Sequence, residues 1–280
     1  MEQKEIRFRK QRDLGVIISD SFDFLKQESQ ALLRMIGIYV LPFIVLYAGA
    51  QVYFQRNVLS QFDLSNPESL MADIGPFYLN LFMFMFFGLF VQSLLVGTYY
   101  SYLEAYIKHG KGNFKLADIS PNFFSNSFLA LGANLIFVII VFFGAMMFIV
   151  PGLYFANTLS LIVFILIFEK KGIGDAMSRS WKLVNSSWWN TLLLNLIALI
   201  IVYVVGLVLS IPSMIMGISS TIFSSEMTNP TDYPNWFWVL NGISSVVTTT
   251  LLIIPFTFQA FQYFNLSERN DPTTTPTQQK

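Results

Sequence analysis

Five stretches of the chain contain no charged residue: 35–55, 74–103, 119–168, 183–225 and 233–267. A helix needs about 20 apolar residues to cross roughly 30 Å of hydrocarbon. The first two stretches hold one span each, at 32–53 and 77–106. The third is too long for a single crossing. It divides at Pro151-Gly152, a turn pair that a helix interior disfavours, into 128–150 and 153–168. The fourth holds 189–211 and then a Ser- and Met-rich stretch after Pro212, and the fifth holds 236–261. The pattern predicts an all-α, polytopic membrane protein with six transmembrane helices, and an even number places both termini on one side.

Between the spans the period changes. Leu14, Ile17, Ile18, Phe22 and Leu25 recur at helical intervals, with Asp20, Asp23, Lys26 and Gln27 on the opposite face. Ile173, Ala176, Met177, Trp181 and Val184 repeat the same intervals, and Trp188 extends the stripe. Ser19-Asp20-Ser21-Phe22 lines up with Ser178-Arg179-Ser180-Trp181. A weaker copy precedes the third span, where Ser120 reads as an N-cap with Pro121 at the first helical position, followed by Phe123, Phe124 and Phe128. The chain then reads as three units, each a short amphipathic helix feeding a transmembrane hairpin. The alternative, that any helix beside a membrane carries such a stripe, stays open. By the same reading 1–30 is a cytoplasmic N-terminal segment, 31–268 the membrane domain and 269–280 a disordered tail without apolar side chains to dock.

Composition closes off the soluble alternative. Apolar residues are 54 % of the chain and charged residues 12 %, against roughly 25 % charged in a soluble domain. Sixteen of the 17 Lys and Arg residues fall on the side of the termini and only Arg56 on the other. That bias predicts cytoplasmic termini. The charged start Met-Glu-Gln-Lys-Glu-Ile-Arg-Phe-Arg-Lys is followed by no short apolar core with a cleavage site, so the first span is expected to act as an uncleaved anchor. A net charge of zero gives no nucleic-acid footprint.

Candidate chemistry is sparse. The chain has no Cys and a single His, His109, which leaves no thiolate or multi-imidazole centre. No metal and no cofactor is therefore expected. Arg34, Glu104 and Glu169 lie near span ends, where long side chains snorkel. The spans otherwise carry neutral amides: Asn80, Gln92, Asn134, Asn157, Asn195, Gln259 and Gln262. Such groups usually tie helices together; a polar cavity lining is the other reading. No Walker A loop, Gly-x-Ser-x-Gly or His-Glu-x-x-His occurs.

One segment has a signature. Pro151-Gly152-Leu153-Tyr154 is followed by Glu169 at the end of a span, then Gly172, Asp175-Ala176-Met177-Ser178-Arg179-Ser180-Trp181-Lys182-Leu183-Val184, and the pair Trp188-Trp189. It resembles the membrane domain that precedes the catalytic domain in some bacterial glycerophosphodiester phosphodiesterases, and the stand-alone multi-spanning relatives of that domain. Ser187 stands where a Gly often precedes the aromatic pair, and the Pro usual midway along span four is missing. The family's hydrolase residues have no counterpart positions, so the resemblance implies a multi-pass protein of a bacterial inner membrane and no activity. Three functions follow as expectations: a non-catalytic membrane protein meeting anionic lipid headgroups or a protein partner through its cytoplasmic helices; a transporter or permeation pathway; or a lipid-acting membrane enzyme. Residues 169–189 are the expected centre, through Glu169, Asp175, Arg179, Ser180, Trp181, Lys182, Trp188 and Trp189, with Trp181 expected to bury against the bundle.

Overall fold

The computed structural model describes residues 6–59, 67–223 and 233–270, with side chains described outside 67–73 and 217–223. The expected tail from 271 on, and the end of the Ser- and Met-rich stretch after Pro212, lie outside the described residues. Of the described residues 88 % are helical, and none lies in a strand. In order the helices are α1 Leu14–Gln27, α2 Ser29–Tyr39, α3 Leu41–Tyr53, α4 Pro67–His109, α5 Ser120–Met147, α6 Ile149–Thr158, α7 Ile162–Glu169, α8 Ile173–Asn185, α9 Trp188–Phe223, α10 Asn235–Leu251 and α11 Ile253–Asn270. Among the described residues five helical stretches are long and apolar enough to cross a membrane, or six if α2 and the α3 stretch, bent by 65°, make one span.

Prolines explain where the spans break. Proline has no N–H to give the preceding turn, but fits the first turn of a helix, where the N–H groups have no partner anyway. The chain therefore breaks just before Pro42, Pro151 and Pro255 and restarts with the proline in the new first turn, at α3, α6 and α11. This corrects the expected turn at Pro151-Gly152. The turn is at Phe148, whose backbone is extended (φ −161°, ψ 153°), and Pro151 and Gly152 already belong to α6. Pro76 and Pro212 stay inside continuous helices. The separate short helix expected before the third span does not form: α5 is continuous from Ser120, with Ile119 as N-cap. A short helix followed by two long helical stretches thus occurs at α1–α4 and again at α8–α11.

The chain forms two compact units. One takes in the described parts of 1–39, 93–200 and 252–280, the other 40–92 and the described parts of 201–251. In the first unit every residue of 161–167 is buried. Tyr100 of α4 meets Phe164 of α7 edge-on at 4.9 Å, and Phe264 of α11 meets it at 5.5 Å. A missing side chain lets helices approach closely at Gly97 and Gly152. A Cβ on Gly97 would lie 2.5 Å from Ser127 Cα, and one on Gly152 would lie 2.8 Å from Ala145 Cα, so α4 meets α5, and α5 meets α6, backbone to backbone.

In the second unit α3 packs against α10, and Ser245 Oγ donates to Gln51 Oε1 at 2.5 Å. Tyr47 stacks on Phe84 at 5.3 Å. Val45, Leu46, Phe82, Met83, Val204 and Val208 face outward. Helices with apolar side chains inside and out are those whose solvent is lipid.

Candidate functional site

Residues 169–189 are held by a break in a span. The helical path of 149–169 is interrupted between Thr158 and Ile162, and the carbonyls of a last turn have no partner within their own helix. The neighbouring elements supply those partners. Ser180, fully buried in α8, donates from Oγ to Thr158 O at 2.7 Å. Trp188 Nε1 donates to Thr158 Oγ1 at 3.3 Å. Asn157 Nδ2 donates to Trp188 O at 3.0 Å, and Asn195 Nδ2 donates to Asn157 Oδ1 at 3.1 Å. Each hydroxyl or amide here joins one helix to another.

The chain reverses after α7 at Lys170, which sits in the left-handed region (φ 53°, ψ 35°) as the cap of that helix. Its Nζ reaches Glu104 Oε1 at 3.0 Å. Glu169 gathers three groups. Tyr263 donates its O–H to Oε1 at 2.7 Å, Arg179 Nε lies 3.3 Å from the same oxygen, and Lys171 Nζ lies 2.5 Å from Oε2. Helix α8 runs back along α7 and α6, since Arg179 meets Glu169 while Asn185 Oδ1 accepts from Tyr154 O–H at 3.1 Å. Asp175 is exposed in the first turn of α8, where a negative charge suits the helix N-terminus.

Aromatic rings continue the surface. Trp181 meets Tyr154 edge-on at 5.4 Å, Tyr154 stacks on Trp188 at 5.8 Å, and Trp189 stands perpendicular to Trp188 at 4.7 Å. Trp181 does not bury as expected: 38 % of it is exposed, because its seat on Tyr154 and Phe155 covers one face only. Trp189 is 76 % exposed. Beside Trp181 lies an open groove of about 290 Å³. Ile140, Phe155 and Leu159 form its floor, and Met177, Ser178 and Lys182 its α8 side.

The amides divide by role. Asn134 Nδ2 donates to Ser93 Oγ at 2.9 Å between α5 and α4, and Gln262 Nε2 to Thr191 Oγ1 at 2.8 Å between α11 and α9. With Asn157 and Asn195 they act as helix ties. Asn80 instead bonds Pro76 O in its own helix. Gln92 and Gln259 are half-buried, with no hydrogen bond to a neighbour among the described residues. His109 is exposed in the last turn of α4.

Two clusters escaped the sequence reading. Arg12 is buried: its Nε lies 2.7 Å from Asp20 Oδ2, its Nη1 donates to Phe8 O at 2.7 Å, and its Nη2 donates to Arg7 O. Its backbone N–H donates to Asn265 Oδ1 at 2.8 Å, and Arg269 Nη2 donates to Arg12 O at 2.7 Å. This lashes the N-terminal segment to α11, with Phe8 stacked on Phe261 at 4.5 Å. Glu28 is also buried, accepting from Tyr102 O–H at 2.5 Å, with Lys111 Nζ at 3.6 Å. Apart from the odd Phe8 among basic residues, no local signal marks these partners.

Long apolar helices, with short helices tied to them by buried hydroxyls, amides and ion pairs, define a multi-pass helical membrane protein. A family described as a domain of unknown function, DUF7847, matches residues 68–266. The chain belongs to that family, and the matched region includes all of α8. No curated protein and no solved structure matches it.

Proposed function

We propose that this is a non-catalytic integral membrane protein, six-spanning with both termini cytoplasmic, that meets anionic lipid through its short amphipathic helices, chiefly α8. The observation that carries the reading is the fate of the four basic residues in 169–189. Lys170 is taken by Glu104, and Lys171 and Arg179 by Glu169. Lys182 is exposed and has no acidic partner among the described residues, and it stands beside the half-exposed Trp181. An indole at the headgroup level keeps its ring apolar and its N–H wet, and a basic residue near an anionic surface contributes about 1 kcal/mol. The basic bias of the terminal side supports the orientation. The resemblance of 151–189 to the membrane domain of glycerophosphodiester phosphodiesterases supports an inner-membrane setting. Transport and catalysis have less behind them, since Asn134, Asn157, Asn195 and Gln262 are engaged as helix ties.

The test uses purified protein in nanodiscs of mixed phosphatidylglycerol and phosphatidylcholine. Enrichment of phosphatidylglycerol around the wild type, reduced in Lys182→Gln with an unchanged unfolding midpoint, supports the reading. Equal lipid composition around both proteins defeats it. Because the chain has no Cys, a single cysteine introduced at Gly112 reports orientation directly, and labelling by an impermeant reagent from outside intact cells would reverse it.

A further inference from the structure

We propose that the groove between α5, α6 and α8 seats one anionic phospholipid, with part of an acyl chain on the floor and the phosphate at Lys182 and Ser178. The proposal rests on the reading of α8 as a lipid-facing helix and gives that helix a single, defined occupant. Three observations fix the chemistry. The floor is apolar throughout, from Ile140, Phe155 and Leu159. Lys182 and Ser178 bring the lining its ionisable and hydroxyl-bearing side chains, both from the α8 side. Lys182 lines the groove together with Leu159 and is exposed. Its ammonium is open to an anionic group that answers its charge. Among the described residues no carboxylate does so.

An amphiphile with a negative head and an apolar chain satisfies both halves of the groove. A free phosphate leaves the floor bare, and a neutral lipid leaves Lys182 unanswered. At about 290 Å³ the groove is at the small end of pockets that enclose a ligand, so it takes part of one chain while the remainder lies in the bilayer. Trp181 forms a fixed wall, its ring held edge-on by Tyr154.

Native mass spectrometry of the detergent-purified protein, titrated with phosphatidylglycerol and separately with phosphatidylcholine, tests the seat. One phosphatidylglycerol per chain is expected to bind first and most tightly, with phosphatidylcholine weaker by about fivefold. Lys182→Gln should remove that preference and Lys182→Arg keep it. Ile140→Trp, which fills the floor, should weaken the first binding step with Lys182 still present. Unfolding midpoints matching the wild type show that the variants are folded, and if Ile140→Trp is not, Leu159→Phe replaces it. A first step indifferent to headgroup, or unmoved by filling the floor, overturns the proposal. If the floor variant is inert but Lys182→Gln still abolishes phosphatidylglycerol enrichment in nanodiscs, the single seat fails and the surface reading stands. If neither variant alters lipid in either experiment, both fail.

Discussion

Helices α1 and α8 carry the same stripe and meet different fates. Their matched positions behave alike: Ile17 and Ala176 are buried, Ser21 and Ser180 are fully buried, and Phe22 and Trp181 are 40 % and 38 % exposed. The charges are opposite. Asp20 of α1 is neutralised by Arg12, and Arg179, its counterpart in α8, by Glu169. Further along, α1 has Asp23 where α8 has Lys182, one turn past the neutralised residue. The apolar residues and the small hydroxyl are thus what the packing requires, while the sign of the outward charge is free to differ. The role proposed for α8 rests on that freedom.

The two ion pairs are not equal anchors, and replacing each arginine shows by how much. Arg12 has a side chain 1 % exposed with several carbonyl partners, against 23 % for Arg179, whose partner Glu169 keeps Lys171 and Tyr263. Arg12→Gln should lower stability by about 3 kcal/mol, as for a buried pair left with one member. Arg179→Gln should cost about 1 kcal/mol, because this half-buried pair leaves Glu169 with two other partners. Unfolding in detergent, followed by near-UV circular dichroism, measures both. Equal losses would mean that α1 and α8 are anchored alike.

How much of this was legible depends on the range of the interaction. Long apolar stretches and the short helices α1 and α8 are local patterns, legible in charge-free gaps and apolar intervals, whereas the 65° bend between α2 and α3 is not. The Phe148 turn was misplaced because Pro-Gly reads as a turn, whereas proline belongs in the first turn after one. The reach of Arg179 to Glu169 spans ten residues and was readable. Tyr263 on Glu169, and Arg12 on Asn265, join residues far apart in the chain, and no period encodes such a meeting. The groove was invisible for the same reason, being assembled from three helices. Trp181 was expected to bury because indoles do so readily, but one-sided packing leaves it half open.

Exchanging core residues sharpens the comparison next. Ala176 of α8 and Ile17 of α1, a helix that packs against α11, are both buried, and Ile17→Ala should cost about 2 kcal/mol. A neutral result would show that the two seats have the same depth. A smaller contrast is expected from the hydroxyls. Ser180 bonds a carbonyl of another helix, whereas Ser21 bonds Ile17 O in its own helix at 2.6 Å. Ser180→Ala should therefore cost about 1–1.5 kcal/mol, with Thr158 O left unpaired, and Ser21→Ala close to nothing. Losses in the reverse order would break the assignment of Ser180 as the tie that seats α8.

The smallest effect on stability is expected from the charges that distinguish the helices most. Asp23 and Lys182 are both exposed, and neither has an ion-pair partner among the described residues. Lys182→Asp and Asp23→Lys should each shift stability by less than about 0.5 kcal/mol, the usual range for surface positions away from packing. Their lipid phenotypes should nevertheless be unequal. Lys182→Asp places a negative charge at the groove and should exclude phosphatidylglycerol from it. Asp23→Lys adds a cation on a helix that packs against α11, with no α5–α6 floor beside it, and should leave the first lipid-binding step unchanged. A gain of tightly held phosphatidylglycerol in Asp23→Lys would show that a lysine on either stripe suffices. The distinction between the helices would then be one of charge alone, with the groove contributing nothing.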